Sequence, residues 1–426
     1  MPTVLAYTSP AAGHLFPLVP GLLELRRRGH EVHVRTAAEL LPAVRAAGLD
    51  GAAVDPRIEA IEVGDHTARR GTDRLKRGFE DVLRRGRLDG PDLEAAVADV
   101  RPDVLLVDTL AYGAGVAAER GGLPWAITLP SLLPLRGRGI PPYGLGLAPR
   151  HDPLGRLRDR IGWRLVERLY GTALLPRLNE LRGAAGLSPF ASPLQLFDTP
   201  DRVLALTGEP LEYPRADLPP HVRLVGPQAW DPPAPAPAWL TEPGDPWVLV
   251  TCSTEYQGDE RLAATAIEAL RDEPLRVLVT LADAAGGAAA AALPRAANVR
   301  LERFVPHGPV LERAAAVVCH GGMGIVQKTV AAGVPLVAVP FGRDQPEVGR
   351  RVAESGAGVL LQQRKLSPAA LRTAVHSAIA ARDGAARAGA RLRASGGPER
   401  FADEVEQLAA ARAARPAAAP VAVAPA

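Results

Sequence analysis

Residues 317–351 decide the fold and read VVCHGGMGIVQKTVAAGVPLVAVPFGRDQPEVGRR. The first three residues end a short apolar run of the kind that forms a strand buried on both faces. A turn with few large side chains follows, and residues 325–332 then have helical spacing until Gly333 stops the helix. Residues 334–339 are apolar again. The stretch therefore predicts a parallel strand, a glycine turn, a helix and a second parallel strand.

The glycine turn at residues 320–324 is a candidate anion site. Where a parallel strand enters a helix, backbone N–H groups and the positive end of the helix dipole face outward, and missing side chains let a phosphate approach closely. The glycines alone could do no more than make a tight turn. His320 in the turn and the Asp344–Gln345 pair after the next strand favour a binding site, because a ligand could use these side chains.

The composition is that of a globular protein with two α/β domains. The chain has 426 residues, of which 47% are hydrophobic and 23% charged. A net charge of +3, with 50 basic and 47 acidic residues spread along the chain, gives no basic face for nucleic acid. Two cysteines exclude a disulfide framework by count. No stretch resembles a signal peptide or a membrane span, so we expect a cytoplasmic protein.

The N-terminal residues predict a βαβ unit with a candidate catalytic histidine. Residues 3–8 read as a strand, 14–28 as a helix and 31–36 as the next strand, which requires a parallel pair with a right-handed crossover. His14 follows the first strand, at the edge where open parallel sheets bind ligands. Asp108 follows another predicted strand and could either cap the next helix or orient His14 and stabilise its imidazolium.

Three further predictions concern less regular parts of the N-terminal half. Residues 59–62 read as a weak strand, and residues 65–90 and 92–100 as two helices. Residues 154–175 predict a basic amphipathic helix with apolar residues at 157, 161, 165 and 169. Such a helix could lie on a membrane surface, but we favour a surface helix whose apolar stripe packs inward.

The organisation that follows is an N-terminal domain at residues 1–208, a proline-rich linker at 209–246 and a second domain at 247–415. The last helix of the second domain is expected to pack back toward the first domain. Residues 416–426 form a Pro/Ala-rich tail that we expect to be disordered.

Two facing α/β halves with an anion site in the second resemble the GT-B fold, and the motifs resemble bacterial natural-product glycosyltransferases of the macrolide and enediyne type. The resemblance covers nearly the whole chain. It implies that Phe304 stacks on the donor base, with Val305 offering backbone groups and His307 near the ribose. The residues that it assigns to the donor diphosphate are Ser253, Thr254, His320, Gly321, Gly322, Met323 and Gly324.

The same resemblance assigns further site residues. Asp344 and Gln345 would read the donor sugar, while His14 would be the catalytic base and Asp108 its carboxylate partner. Separately from the resemblance, we expect the acceptor to lie against the N-terminal domain, at the loop of residues 132–150 and the helix after it, with Phe16, Leu132 and Tyr143 as candidate contacts.

Two residues depart from the family pattern at the helix after the glycine turn. Ile325 stands where many members donate a hydroxyl to phosphate, and Lys328 stands where plant members carry a ribose-binding glutamate. We expect Lys328 to lie on the helix surface. The sequence contains no Asp-x-Asp motif, which favours a metal-independent mechanism. We expect no other cofactor, since the nucleotide sugar is a co-substrate.

The function predicted from these motifs is inverting transfer of a sugar from a UDP- or dTDP-sugar to a small lipophilic, polyketide-like acceptor. Three alternatives remain at this point: a sugar-nucleotide 2-epimerase of the same fold, a catalytically silent partner of another glycosyltransferase, and an enzyme with a lipid acceptor at a membrane face. The Gly13–His14 turn argues against the epimerase, which would use carboxylates in the cleft. A homodimer is left open.

Overall fold

The protein consists of two parallel β-sheets covered by helices, as seen in a computed structural model that describes residues 1–64, 71–253, 260–281 and 291–413. The first sheet has the order β3-β2-β1-β4-β5-β6-β7 and the second β10-β9-β8-β11-β12-β13. The strands of the first sheet are β1 Thr3–Tyr7, β2 Glu31–Thr36, β3 Asp50–Ala53, β4 Val104–Asp108, β5 Trp125–Leu129, β6 Arg202–Ala205 and β7 Val222–Leu224. Those of the second are β8 Trp247–Thr251, β9 Arg276–Thr280, β10 Val299–Glu302, β11 Ala314–Cys319, β12 Leu336–Ala338 and β13 Gly358–Leu360.

Helices lie on both faces of each sheet. In the first half they are α1 Ala12–Leu15, α2 Val19–Arg27, α3 Leu41–Ala46, α4 Pro56–Glu59, α5 Gly71–Val100, α6 Tyr112–Gly121 and α7 Pro153–Ala184. The others are α8 Glu260–Leu270, α9 His307–Leu311, α10 Met323–Ala331, α11 Gln345–Glu354, α12 Pro368–Ala380, α13 Arg382–Ala394 and α14 Pro398–Ala413. Because helices cover both faces, the central strands β1, β4, β5, β8 and β11 are almost entirely apolar and buried, as the sequence predicted.

In each sheet, the order in which the chain adds strands reverses at one place. In the first sheet the chain builds outward from β1 through β2 to β3 and then returns to place β4 on the other side of β1. The second sheet does the same between β8 and β11. Open parallel sheets bind ligands at the carboxyl ends of the strands beside such a reversal. A ligand site is therefore expected at the residues that follow β1, β4, β8 and β11.

Several predicted elements were wrong in ways that the packing explains. Residues 59–62 form no strand, because Asp55 accepts a hydrogen bond from the Arg57 N–H at 2.9 Å and starts α4 at Pro56. The two helices predicted at 65–90 and 92–100 are one in the described residues, α5, which continues through Pro91. Close packing against α6 holds α5 together there, since a Cβ on Gly113 would overlap the Gly86 carbonyl oxygen.

The predicted linker at 209–246 contains part of the first sheet. β7, at residues 222–224, pairs in parallel with β6 and forms the edge of that sheet. Its strand is only three residues long and lies among prolines, so hydrophobic periodicity could not reveal it. The exact domain boundaries otherwise stay a prediction, and residues 416–426 lie outside the described residues.

The chain crosses back to the first domain through α14. Phe401 is fully buried in the core of the first sheet, and a Cβ on Gly21 of α2 would overlap its ring. Arg28 Nη1 lies 2.9 Å from Glu406 Oε2, and His30 Nε2 lies 2.8 Å from Glu406 Oε1. The first domain is therefore completed by residues from the far end of the described chain.

Candidate active site

His14 and Asp108 form a hydrogen-bonded pair beside the reversal point of the first sheet. β1 and β4 are parallel neighbours with Tyr7 opposite Val107, so the residues that follow the two strands meet at one edge. His14 lies in α1, and its Nδ1 is 2.7 Å from Asp108 Oδ2. The His14 side chain is 22% exposed whereas that of Asp108 is 1% exposed. The imidazole thus reaches solvent while its partner carboxylate is buried.

The Asp108 carboxylate is fixed by two other donors. Its Oδ1 accepts hydrogen bonds from Ser9 Oγ at 2.7 Å and from the Leu110 N–H at 2.9 Å. Asp108 therefore contacts His14, as one of its two sequence readings expected. The other reading, a cap of the next helix, was wrong, because the bond to Leu110 lies before α6 and the N-cap of that helix, Ala111, has no side-chain cap. A carboxylate can only accept, so Nδ1 carries the proton and Nε2 is the basic nitrogen of neutral His14.

The glycine turn forms between β11 and α10, at the reversal point of the second sheet. Gly321 has φ +90°, a conformation that favours glycine, and Gly322 is the N-cap of α10 without a side-chain cap. A Cβ on Gly322 would overlap Nε2 of the buried His320 imidazole and lie 3.0 Å from its Cε1. At Gly324 a Cβ would meet nothing within 4 Å. The turn therefore presents a helix N-terminus with His320 folded over it.

The second side of this anion site is only partly described. Ser253, after β8, is buried next to the reversal point, since β8 is the neighbour of β11. Thr254, the other residue predicted for the diphosphate, lies outside the described residues. Met323 begins α10 and is buried.

Residues predicted for the nucleobase follow β10. Phe304 is 54% exposed, which is unusual for a phenylalanine and leaves its ring available for stacking, while Val305 is buried. His307 begins α9 and is half-buried. Burial lowers the pKa of His307 to about 4, with the nearby Lys328 charge acting in the same direction. The imidazole is therefore neutral near pH 7.

Lys328 does not lie on the helix surface as expected. Its Nζ contacts Asp231 Oδ1 at 2.6 Å, and its side chain is only 15% exposed. Asp231 Oδ2 also accepts a hydrogen bond from the Gly308 N–H at 2.8 Å. Asp231 comes from the predicted linker, far away in sequence, which is why the sequence gave no sign of this pair. It ties the linker to the first turn of α9.

The predicted sugar-reading pair divides into two different roles. Ser131 Oγ, after β5 of the first sheet, donates to Asp344 Oδ2 at 2.5 Å, so the carboxylate joins the two halves. Gln345 is buried, and its Oε1 accepts hydrogen bonds from the N–H groups of Phe341 at 2.8 Å and Gly342 at 3.1 Å. The amide oxygen of Gln345 therefore holds its own loop.

Of the three residues predicted for the acceptor, two have some exposed surface. Phe16 packs edge-to-face on Trp230 with ring centroids 5.1 Å apart, and Tyr143 is half-buried. Burial and the nearby Asp344 carboxylate raise the pKa of Tyr143. Leu132 is fully buried in an apolar cluster with Leu211, so the structure contradicts its assignment as an acceptor contact. It packs the two halves together instead.

A buried charged cluster between the halves was not found from the sequence. Arg351 of α11 has its Nε 3.0 Å from Glu347 Oε1 and its Nη1 3.6 Å from Glu212 Oε2, and all three side chains are at most 2% exposed. The Arg351 guanidinium also lies 3.4 Å from the Tyr213 ring centroid. Glu212 in turn accepts a hydrogen bond from the Leu133 N–H at 2.6 Å. The cluster thus connects the loop after β5 to the helix that follows Asp344.

Known proteins resemble this chain in both sequence and structure. The family described as erythromycin biosynthesis protein CIII-like, C-terminal domain, matches residues 266–421. The 4'-demethylrebeccamycin synthase of Lentzea aerocolonigenes is 36% identical over 394 residues, which are 88% of this chain and 91% of that protein. Demethyllactenocin mycarosyltransferase of Streptomyces fradiae is 29% identical over 421 residues, covering 94% and 85%.

Among solved structures, the kitacinnamycin glycosyltransferase superposes with a TM-score of 0.72 at 25% identity, covering 96% of this chain and 99% of that one. Agreement over nearly the full length of both chains confirms the GT-B fold, with two parallel-sheet α/β domains.

Proposed function

Because the chain belongs to the natural-product glycosyltransferases, the family of 4'-demethylrebeccamycin synthase, we propose that it transfers a sugar from a UDP- or dTDP-sugar to a small lipophilic acceptor. The observation that supports this most is the 2.7 Å contact between His14 Nδ1 and Asp108 Oδ2 at the sheet's reversal point. The mycarosyltransferase and the kitacinnamycin protein are glycosyltransferases by name, which favours transfer over epimerisation and over a silent partner.

His14 is the base in the proposed reaction. Its Nε2 takes the proton from the acceptor hydroxyl as the oxygen attacks the anomeric carbon of the donor sugar. The buried Asp108 carboxylate keeps Nδ1 protonated and stabilises the imidazolium that forms. The bond from the anomeric carbon to the diphosphate oxygen breaks on the opposite face, which inverts the configuration, and the electron pair leaves with the nucleoside diphosphate.

The leaving diphosphate gains negative charge, and the glycine turn supplies positive groups for it. The N–H groups at the start of α10 have no side-chain cap, and the His320 imidazole folds over the same turn. Aligned donors of this kind act on charge that develops in the transition state. We infer that they replace a metal ion, since the sequence has no Asp-x-Asp pair to hold one. Turnover that persists in EDTA would support this inference, and loss restored by Mg²⁺ would contradict it.

Two variants test the proposed division of labour between the halves. His14→Ala should abolish transfer but leave the affinity for dTDP or UDP, measured by calorimetry, close to that of the wild type. His320→Ala should instead weaken nucleotide diphosphate binding by about tenfold or more, because a donor to an anionic ligand is lost. Wild-type turnover in His14→Ala would refute the base assignment, and unchanged nucleotide affinity in His320→Ala would refute the diphosphate assignment.

The donor base can be identified with the same titrations. We expect binding of dTDP or UDP and weaker binding of GDP. The candidate base site is the short loop between β10 and α9, which contains Phe304 and the backbone of Val305. A Phe304→Ala variant should weaken binding of either nucleotide by roughly 5- to 150-fold, which corresponds to one base–aromatic stack. Equal affinity in the variant would remove Phe304 from the site.

A further inference from the structure

The first half of α7 exposes a row of large aliphatic side chains to solvent. Leu154, Leu157, Ile161 and Leu165 are 67%, 48%, 57% and 52% exposed. We name these four residues the apolar row. Their spacing of three or four residues places them along one face of the helix. The inward packing that the sequence analysis favoured for residues 157, 161 and 165 was therefore wrong.

The orientation of α7 is fixed by contacts on its opposite face. Gly155, Asp159, Trp163 and Val166 are the buried residues of this part of the helix. Trp163 Nε1 donates a hydrogen bond to the Ile140 carbonyl oxygen at 3.0 Å, which anchors the helix to the loop before it. Rotating the apolar row inward would expose Trp163 and break this bond. The packing of the opposite face therefore keeps the apolar row exposed.

Arginines flank the apolar row along its whole length. Arg156, Arg160, Arg164 and Arg168 recur every four residues, and all four are exposed. We name them the arginine row. Within the described residues, Arg160, Arg164 and Arg168 form no ion pair, whereas the carboxylates of this helix segment are engaged elsewhere. Asp159 pairs with Arg158 at 2.8 Å, and Glu167 pairs with Arg136 at 3.2 Å.

We propose that this face of α7 docks on an anionic membrane surface. Aliphatic side chains beside a continuous line of cations are the arrangement of helices that lie in the bilayer interface, where the arginine stems reach up to the phosphates. A protein partner would instead favour aromatic anchors, and the apolar row has none. No helix in the described parts of the chain is long and apolar enough to span a membrane, so the contact is peripheral.

Co-sedimentation of the full chain with vesicles tests the proposal. Binding is expected with phosphatidylglycerol-containing vesicles and not with pure phosphatidylcholine, and it should fall steeply between low salt and 1 M salt, as the Debye length shrinks from about 10 Å at 0.1 M to about 3 Å. A Leu157→Ser/Ile161→Ser/Leu165→Ser variant should lose binding to the phosphatidylglycerol-containing vesicles. Because all three residues are exposed, its thermal unfolding midpoint should stay close to that of the wild type.

Charge variants separate a specific face from general attraction. Arg160→Gln/Arg164→Gln should weaken vesicle binding by roughly 25-fold, at about fivefold for each arginine near an anionic surface. The matched control, Arg382→Gln/Arg387→Gln, removes the same charge from exposed positions of α13 and should change binding by less than about twofold.

Three results would overturn the proposal. The first is a wild-type chain that ignores phosphatidylglycerol vesicles. The second is a control variant that loses as much binding as the α7 variant. The third is a serine variant that binds vesicles normally but halves the molar mass in light scattering, since the face would then bind a second copy of the chain. The inference does not depend on the assignment of His14, so the catalytic and vesicle experiments can fail separately.

Discussion

Asp108→Asn should inactivate the enzyme by turning the imidazole of His14 to the wrong tautomer. Two donors, Ser9 Oγ at 2.7 Å and the Leu110 N–H at 2.9 Å, point at Oδ1 of the carboxylate. An asparagine must therefore keep its oxygen on that side and turn its NH₂ group toward His14, 2.7 Å away. Nδ1 can accept from that group only if the proton moves to Nε2. The nitrogen that should remove the acceptor's proton would then already carry one.

The expected cost is large because nearly every molecule holds the wrong tautomer. In a comparable His–Asp pair the same substitution lowers kcat by roughly 10⁴-fold, and we expect about 10³- to 10⁴-fold here. Single-turnover transfer with saturating donor measures the chemical step directly. Calorimetry with dTDP or UDP should show unchanged affinity, since Asp108 belongs to the other sheet.

Ser9→Ala is the matched control for this experiment. It removes one hydrogen bond from Oδ1 but leaves the carboxylate and hence the tautomer of His14 intact. Its effect on turnover should stay below about tenfold, the value of one hydrogen bond to a charged group at the low end. If Asp108→Asn keeps turnover within tenfold of the wild type, or if both variants lose the same activity, the tautomer argument fails.

Three further predictions concern the second half and its contacts. Gly322→Ala should weaken nucleotide binding as much as His320→Ala does, because the new Cβ overlaps the imidazole; calorimetry of the double variant should show no added loss. Ser131→Ala frees the Asp344 carboxylate and should raise the donor KM by about tenfold with a smaller change in kcat, and an unchanged KM would contradict this. Between pH 6.5 and about 4 the folded chain keeps His307 neutral while the unfolded chain protonates its own, so the unfolding free energy should fall as pH falls through that window. Denaturant titrations at several pH values should show that the unfolding free energy of His307→Gln depends less on pH than that of the wild type. An equal pH dependence would mean that other groups dominate.

The parallel sheets and the position of the glycine turn could be predicted because local patterns determine them. An apolar strand followed by a turn and a helix requires a crossover to the next parallel strand. His14 and His320 both follow such a strand, so their positions at a sheet edge could be predicted. The prediction at Pro91 was wrong because α5 packs closely against the neighbouring helix α6 and continues through the proline. The prediction for the apolar row was wrong for a different reason. Helical spacing indicates that residues share a face but does not determine whether that face points to the core or to solvent.

The site itself could be predicted only where a motif stands next to a strand end. Ser131 and Asp231 gave no signal, because each acts on a residue far along the chain, Asp344 and Lys328 respectively. Leu132 was assigned to the acceptor because it lies at the start of the predicted acceptor loop. Its side chain is instead buried in the apolar contact between the halves. Such pairings between distant segments are set by tertiary packing, which sequence periodicity does not encode.

The return of α14 to the first domain has a consequence for how the protein is made. A nascent chain emerges from the ribosome with its N-terminal end first, and early domains usually fold before later ones are synthesised. Here the residues that cover α2 are Phe401, Ala402, Val405 and Leu408. Until these residues emerge, the first sheet is built but one of its apolar helices faces solvent or a chaperone. Completion of the first domain therefore waits for translation of the second.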